Sequence, residues 1–137
     1  MTSSDDAGAR VAEHLVELER AALVRWLAGD PSGFLEISDD LVTYFDPFVA
    51  RRIDGLEALR AYYEPLRGKI HAERFEIIDP RVQQVGKLAV LTYNFVSYGG
   101  SEQALRWNCS EVYRYRSGRW KLVQTHWSFT EAGKAGT

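Results

Sequence analysis

Three side chains capable of acid–base chemistry stand in conspicuous places. Asp46 closes the segment "LVTYFDP", just ahead of Pro47, and Glu111 and His126 lie in "EVYRYRSGRWKLVQTHWSF", residues 111–129, among large aromatics. A carboxylate enclosed in a dry cavity is driven toward neutral pH and can then take or give a proton. Two carboxyls in one cavity push each other's proton affinities apart, which yields a base and an acid. Histidine carries protons near neutrality without such help. Each residue also has a plainer reading. Asp-Pro is a common turn former whose carboxylate bonds nearby backbone N–H groups. A strand glutamate can pair with Arg or His, and a lone histidine among aromatics can serve as a core or interface residue. Both readings stand at this stage.

Spacing groups these residues with others. At a period of two, Trp107, Cys109, Glu111 and Tyr113 share one face of a strand. Trp120, Leu122, Gln124, His126 and Ser128 share one face of the next. Trp26, Tyr44, Tyr62, Tyr63, Tyr93, Phe95, Trp107, Tyr113 and Trp127 form an aromatic set suited to a flat or ring-containing ligand, or to core and dimer interface. No metal site is expected, because His14, His71 and His126 fall on separate elements without ligand spacing. Cys109 is the single cysteine, so no internal disulfide forms. No phosphate loop, serine elbow or cofactor motif is present, so no cofactor is expected.

The elements that must position these groups read as helices first and strands afterwards. Residues 9–28 carry Val11, Leu15, Leu18, Ala22 and Trp26 on one helical face, and Gly29 ends the helix. Asp30-Pro31 opens a short second helix. A strand over 41–46 and a shorter one near 49–53 follow. "DGLEALRAYYEPLRG" reads as a third helix, with Asp54 and Glu57 as a capping box. From residue 72 onward four long strands are expected, with a bulge or bend at Asp79-Pro80 and turns at Gly99-Gly100 and Ser117-Gly118. The outer sheet face also reads as rich in aromatics, which suggests a partner sheet. The expected organisation is a disordered lead over 1–9, one α+β domain over 10–130 and a frayed tail over 131–137.

Composition narrows the functional classes. A chain of 137 residues, 45% hydrophobic and 26% charged, suits one soluble domain. A net charge of −2 supplies no electrostatic reason to bind nucleic acid or an anionic membrane. No apolar run is long enough to span a bilayer, and no signal-peptide pattern opens the chain, so a cytoplasmic location is expected.

Element order and motifs together resemble the nuclear transport factor 2-like (NTF2-like) superfamily. "Tyr-Phe-Asp-Pro" at 44–47 and "Gly-Leu-Glu-Ala-Leu-Arg" at 55–60 are similar to SnoaL-like proteins of the DUF4440 kind. "IIDPRVQQVGKLAVLTY" (77–93) and "SGRWKLVQTHWS" (117–128) resemble the association, or hub, domain of calcium/calmodulin-dependent protein kinase II (CaMKII). The resemblance implies an α+β cone, cystatin-like, with three N-terminal helices on a curved, mainly antiparallel sheet. It also implies an internal pocket and a sheet-mediated homodimer, with larger rings among the hub relatives. By likeness to ketosteroid isomerases, Asp46 matches their general base and Glu111 their pocket acid, whereas Ala22 stands where they have an oxyanion-donating tyrosine. His126 matches a histidine of the hub domains. Hub-pocket arginines align with Phe95 and Glu111, which disfavours a small carboxylate ligand. Three functions follow as expectations. The first is small-molecule binding in a pocket lined by Trp26, Tyr44, Tyr63, Tyr93, Phe95, Trp107 and Tyr113. The second is a cofactor-independent isomerase, cyclase, dehydratase or hydrolase using Asp46, Glu111 and His126 on a neutral ring-containing substrate. The third is a hub-like oligomerisation module.

Overall fold

A computed structural model describes residues 3–99 and 104–130. Helix α1 runs Ser3–Trp26, α2 Ser32–Glu36 and α3 Leu56–Tyr63, the last continued by a single 3-10 turn, Glu64–Leu66. The strands are β1 Ser38–Phe45, β2 Ile53–Asp54, β3 Arg74–Val85, β4 Leu88–Tyr98, β5 Ala104–Arg116 and β6 Arg119–Phe129. They form one six-stranded sheet in the order β2-β1-β6-β5-β4-β3. Only the β1–β6 pairing is parallel, so the sheet is mixed but mainly antiparallel, and the helices pack on one face. Among the described residues no helix is long and apolar enough to cross a membrane.

The core lies between helices and sheet. Leu15, Ala22 and Leu23 of α1 and Leu59 of α3 meet Val42, Leu91 and Leu122 of the sheet, all buried. The helical stripe read from the sequence is therefore the packed face. Its helix starts earlier than residue 9, and most of the expected disordered lead is helical. Ala7 and Ala9 are strong helix formers, and Asp6 is acidic near the positive end of the helix dipole. The end of α1 is tied down by a close backbone approach. Gly29, at φ +90°, accepts a 2.8 Å hydrogen bond from the Gly68 N–H, and a Cβ on Gly29 would stand 3.1 Å from the Gly68 Cα. That contact seats the α3 end beside the α1 end, which closes one wall of a cavity.

Sheet irregularities follow the sequence in part. The register of β3 against β4 shifts between Ile78 and Arg81, with Asp79 at φ 52°, so the bulge at Asp79-Pro80 is present and bends the strand. Ser117 and Gly118 both have positive φ, as a two-residue hairpin turn requires. The capping box does not form. Asp54 belongs to β2 and accepts from the Arg52 guanidinium, while Gly55 at φ 93° holds the helix cap. The short strand expected near 49–53 is only Ile53–Asp54, and β1 begins at Ser38 rather than residue 41. The Gly99-Gly100 turn and the frayed tail fall on residues 100–103 and 131–137, outside the described residues.

The outer sheet face differs from expectation. Thr92, Asn94, Asn108, Ser110, His126 and Ser128 line an open groove there, so that face is polar along β4, β5 and β6. Asn94 and Asn108 join side chain to side chain at 2.8 Å across it. The aromatics of these strands mostly point inward, because the helix-facing side is where large apolar area is removed from water.

Candidate functional site

Between the helices and the inner sheet face lies a chamber of about 450 Å³. From the helical side, Leu23 and Trp26 of α1, Leu27 just after it, Phe34 of α2, and Tyr62 and Tyr63 of α3 line it. From the sheet come Tyr44, Phe95, Ser97, Leu105, Trp107 and Trp127. Phe48, His71 and Leu105 are exposed at its rim. The walls hold themselves by edge-on aromatic contacts. Trp26 meets Tyr63 at 4.9 Å, Tyr63 meets Tyr44 at 5.5 Å, and Trp107 meets Trp127 at 5.9 Å, with interplanar angles of 61°, 89° and 87°.

Asp46 is the one carboxylate in this lining. Three donors converge on it. The Tyr44 and Tyr62 hydroxyls donate to Oδ2 at 2.8 and 2.7 Å, and the Phe48 N–H donates to Oδ1 at 2.8 Å. The turn reading of Asp46 is realised in that Phe48 bond. It makes the turn that follows β1, and it also presents its carboxylate to the chamber. Burial first raises both tyrosines above the ordinary phenol range, aided by Asp46 at Tyr62 and by Tyr63 and then Asp46 at Tyr44, so both hydroxyls keep their protons and remain donors.

Glu111 is elsewhere. It is fully buried on β5 beneath the helices, it does not line the chamber, and its carboxyl group meets Glu19, Cys109 and Thr125. Its neighbour is Glu19 of α1, also fully buried. Carboxyl oxygens of both glutamates and the Cys109 sulfur lie within 4.8 Å of one another. Glu19 accepts from the Tyr93 hydroxyl at 2.5 Å and the Tyr113 hydroxyl at 2.7 Å. Burial and the charge of Glu19 push Glu111 well above the usual carboxylate range, so it holds a proton. Burial likewise pushes the Cys109 thiol up. Among the described residues this is the only group of side chains that brings metal-ligating atoms together. Tyr93 and Tyr113 already bond both oxygens of Glu19.

His126 stands on the opposite face of the sheet, exposed, with its ring 5.2 Å from Phe45. The reason is a single inserted residue. Tyr113 pairs with Leu122 but Val112 pairs with Gln124, which leaves Val123 unpaired and reverses the alternation of β6. Beyond that bulge Thr125, not His126, is opposite Glu111 and shares its side. Asp46, Glu111 and His126 thus do not meet around one hollow. They occupy the chamber, the sealed core and the outer groove respectively.

Of the expected ligand-binding residues, Trp26, Tyr44, Tyr63, Phe95 and Trp107 line the chamber. Tyr93 and Tyr113 do not, because their hydroxyls are committed to Glu19. Other lining residues were not assigned to the site from sequence. Tyr62 and Trp127 stood in the aromatic set, and Tyr62 is three residues after the buried Leu59 on α3. Phe48 and His71 sit in segments with no periodicity and carried no such signal.

Comparison with known proteins places this geometry. The family model for the SnoaL-like domain matches residues 26–131. A candidate ketosteroid isomerase from Parabacteroides distasonis shares 43% identity, covering 88% of this chain and 89% of that one, with a TM-score of 0.81. An NTF2-like protein from Pseudomonas putida aligns at 21% identity over 88% and 87% of the two chains, TM-score 0.78. The CaMKII association domain of C. elegans aligns at 22% identity over 90% of this chain and 98% of that one, TM-score 0.75. At that identity the last two speak for the fold alone. No functionally curated protein matches the chain.

Proposed function

This chain belongs to the SnoaL-like domain family, within the NTF2-like superfamily, and from that premise we propose that it binds a small, apolar, ring-containing molecule in the aromatic chamber. One observation carries the reading: a chamber of about 450 Å³, walled mainly by apolar and aromatic side chains, into which a single carboxylate projects from a tyrosine clamp. A concave apolar site with a few convergent polar groups is the usual form of a small-molecule pocket. The reading is tested with fused-ring phenols, ketones and lactones, scored by the rise in melting temperature and by tryptophan fluorescence, since Trp26, Trp107 and Trp127 all line the chamber. Binders are expected, and Leu105→Trp, which narrows the rim at an exposed position, weakens them at least about tenfold, roughly 1.4 kcal/mol. Binders that ignore Leu105→Trp, or a panel without binders, would overturn it.

The second reading is a cofactor-independent enzyme in which Asp46 moves a proton. It is favoured by the position of Asp46 in the chamber and by 43% identity to the candidate isomerase. Two features weigh against steroid isomerisation of the familiar kind. Ala22 supplies no hydroxyl, and Glu111 is sealed away from the chamber. Solvent deuterium entering a bound ketone, and lost in Asp46→Asn, would support catalysis; absence of exchange across binders would exclude proton abstraction there.

A homodimer joined through the outer sheet face is part of the same proposal. It is supported by the fold likeness to CaMKII association domains and by the open groove along β4, β5 and β6. Sedimentation of the purified chain tests it, with a dimer expected and a monomer at all concentrations as the contrary result.

A further inference from the structure

The polar inventory of the chamber specifies more than an apolar ring. An ionised carboxylate offers about four acceptor sites on its two oxygens. At Asp46 the tyrosine hydroxyls take two on Oδ2 and the Phe48 N–H takes one on Oδ1. One acceptor site on Oδ1 is left over. No lysine or arginine is among the lining residues, so the chamber supplies no fixed cation to balance this carboxylate. The rings of Tyr44 and Tyr62, 5.7 Å apart at the centroids, reach it through their hydroxyls. Tyr44 and Tyr62 have also spent their protons on Asp46, which leaves their oxygens as acceptors. Apart from His71 at the exposed rim, the lining offers no side chain that could bring a positive charge to this acceptor.

We infer that the ligand is an apolar, ring-bearing amine whose protonated nitrogen donates to Asp46 Oδ1 while its ring fills the aromatic part of the chamber. The inference rests on the small-molecule reading above and adds the chemical class. An alcohol could reach the same acceptor, but a donor that is itself charged makes a hydrogen bond roughly twice as strong. An anionic ligand would meet Asp46 with like charge and is disfavoured.

The test is a matched series on the full chain at pH 7: 2-(2-naphthyl)ethylamine, 2-(2-naphthyl)ethanol and 2-naphthylacetate, measured by titration calorimetry. The expected order is amine, then alcohol, then carboxylate, with the amine at least about tenfold tighter than the alcohol. Asp46→Asn, checked by its melting curve, is expected to bring amine and alcohol within about threefold of each other. An alcohol that binds as tightly as the amine, or an amine preference that survives Asp46→Asn, overturns the inference while the chamber reading stands. If none of the three binds at millimolar concentration, the chamber reading itself falls and takes this inference with it. The order in the unmodified protein decides the matter even if the variant does not fold.

Discussion

Two carboxylate sites in this molecule solve opposite problems with the same partner, the tyrosine hydroxyl. At the chamber, Asp46 is partly exposed, receives two phenols and a backbone N–H, and keeps one acceptor site unfilled. In the core, Glu19 also receives two phenols, from Tyr93 and Tyr113, yet it sits beside a second fully buried carboxyl, and neither forms an ion pair among the described residues. Desolvation makes a lone buried charge expensive and a like-charged pair more so. The core relieves this by holding a proton on Glu111, whereas the chamber relieves it with donors. Tyrosine clamps alone therefore do not mark a binding site. What distinguishes the chamber is the unused acceptor and the open rim beside it.

The sharpest way to break this contrast is to delete a core carboxylate. Glu19→Ala leaves the Tyr93 and Tyr113 hydroxyls buried without an acceptor and opens a void beneath α1. Two unsatisfied hydroxyls at about 1–3 kcal/mol each, plus the void, predict a loss of roughly 3–5 kcal/mol, read as a lower urea midpoint. Asp46→Ala, whose donors can turn to water, should cost far less. Equal losses would mean that the chamber carboxylate is as structural as the core one.

A smaller effect separates the sites by pH. The folded protein holds the Glu111 proton more tightly than the unfolded chain, in which glutamate titrates at its ordinary value of about 4.5. As pH rises past that value the unfolded state loses its proton first, so this contribution is complete at lower pH and is lost progressively as pH increases. Glu111→Gln keeps the size and the neutral donor and should flatten that decline in the urea midpoint between pH 5 and pH 9. A slope unchanged by Glu111→Gln would show that Glu111 is ionised in the fold.

Much of the fold was legible because local chemistry agreed with the global pattern. The α1 stripe, the Asp79-Pro80 bulge and the Ser117-Gly118 turn each rest on residues whose backbone preferences leave few alternatives. The site was less legible, for two identifiable reasons. Glu19 stands four residues after Leu15 and four before Leu23, inside the apolar stripe, but periodicity read from apolar residues alone passes over a buried acid. Val123 gives no sign of a bulge, having neither glycine nor proline beside it, yet it decides which side of the sheet His126 occupies. Parity counted along β6 without a partner strand could not detect the reversal, because register belongs to the pairing and not to either strand.

The finest test removes one hydroxyl from each clamp. Tyr113→Phe takes a donor from a fully buried carboxylate that water does not reach, and Tyr62→Phe takes one from a carboxylate at the edge of an open chamber. Hydrogen bonds to charged groups contribute about 1.5–3 kcal/mol when no solvent can replace them, and nearer 0.5–1 kcal/mol when it can. Tyr113→Phe should therefore lower the urea-derived stability by roughly 2 kcal/mol and Tyr62→Phe by under about 1 kcal/mol. Their effects on ligand should run the other way. Removing the Tyr62 hydroxyl frees a second acceptor site on Asp46 and changes affinity for naphthylethylamine, whereas the core clamp is out of the ligand's reach and leaves it unaltered. Matching losses of stability, or an affinity change from Tyr113→Phe as large as from Tyr62→Phe, would mean that the two carboxylate sites form one continuous network rather than a structural clamp and a binding clamp.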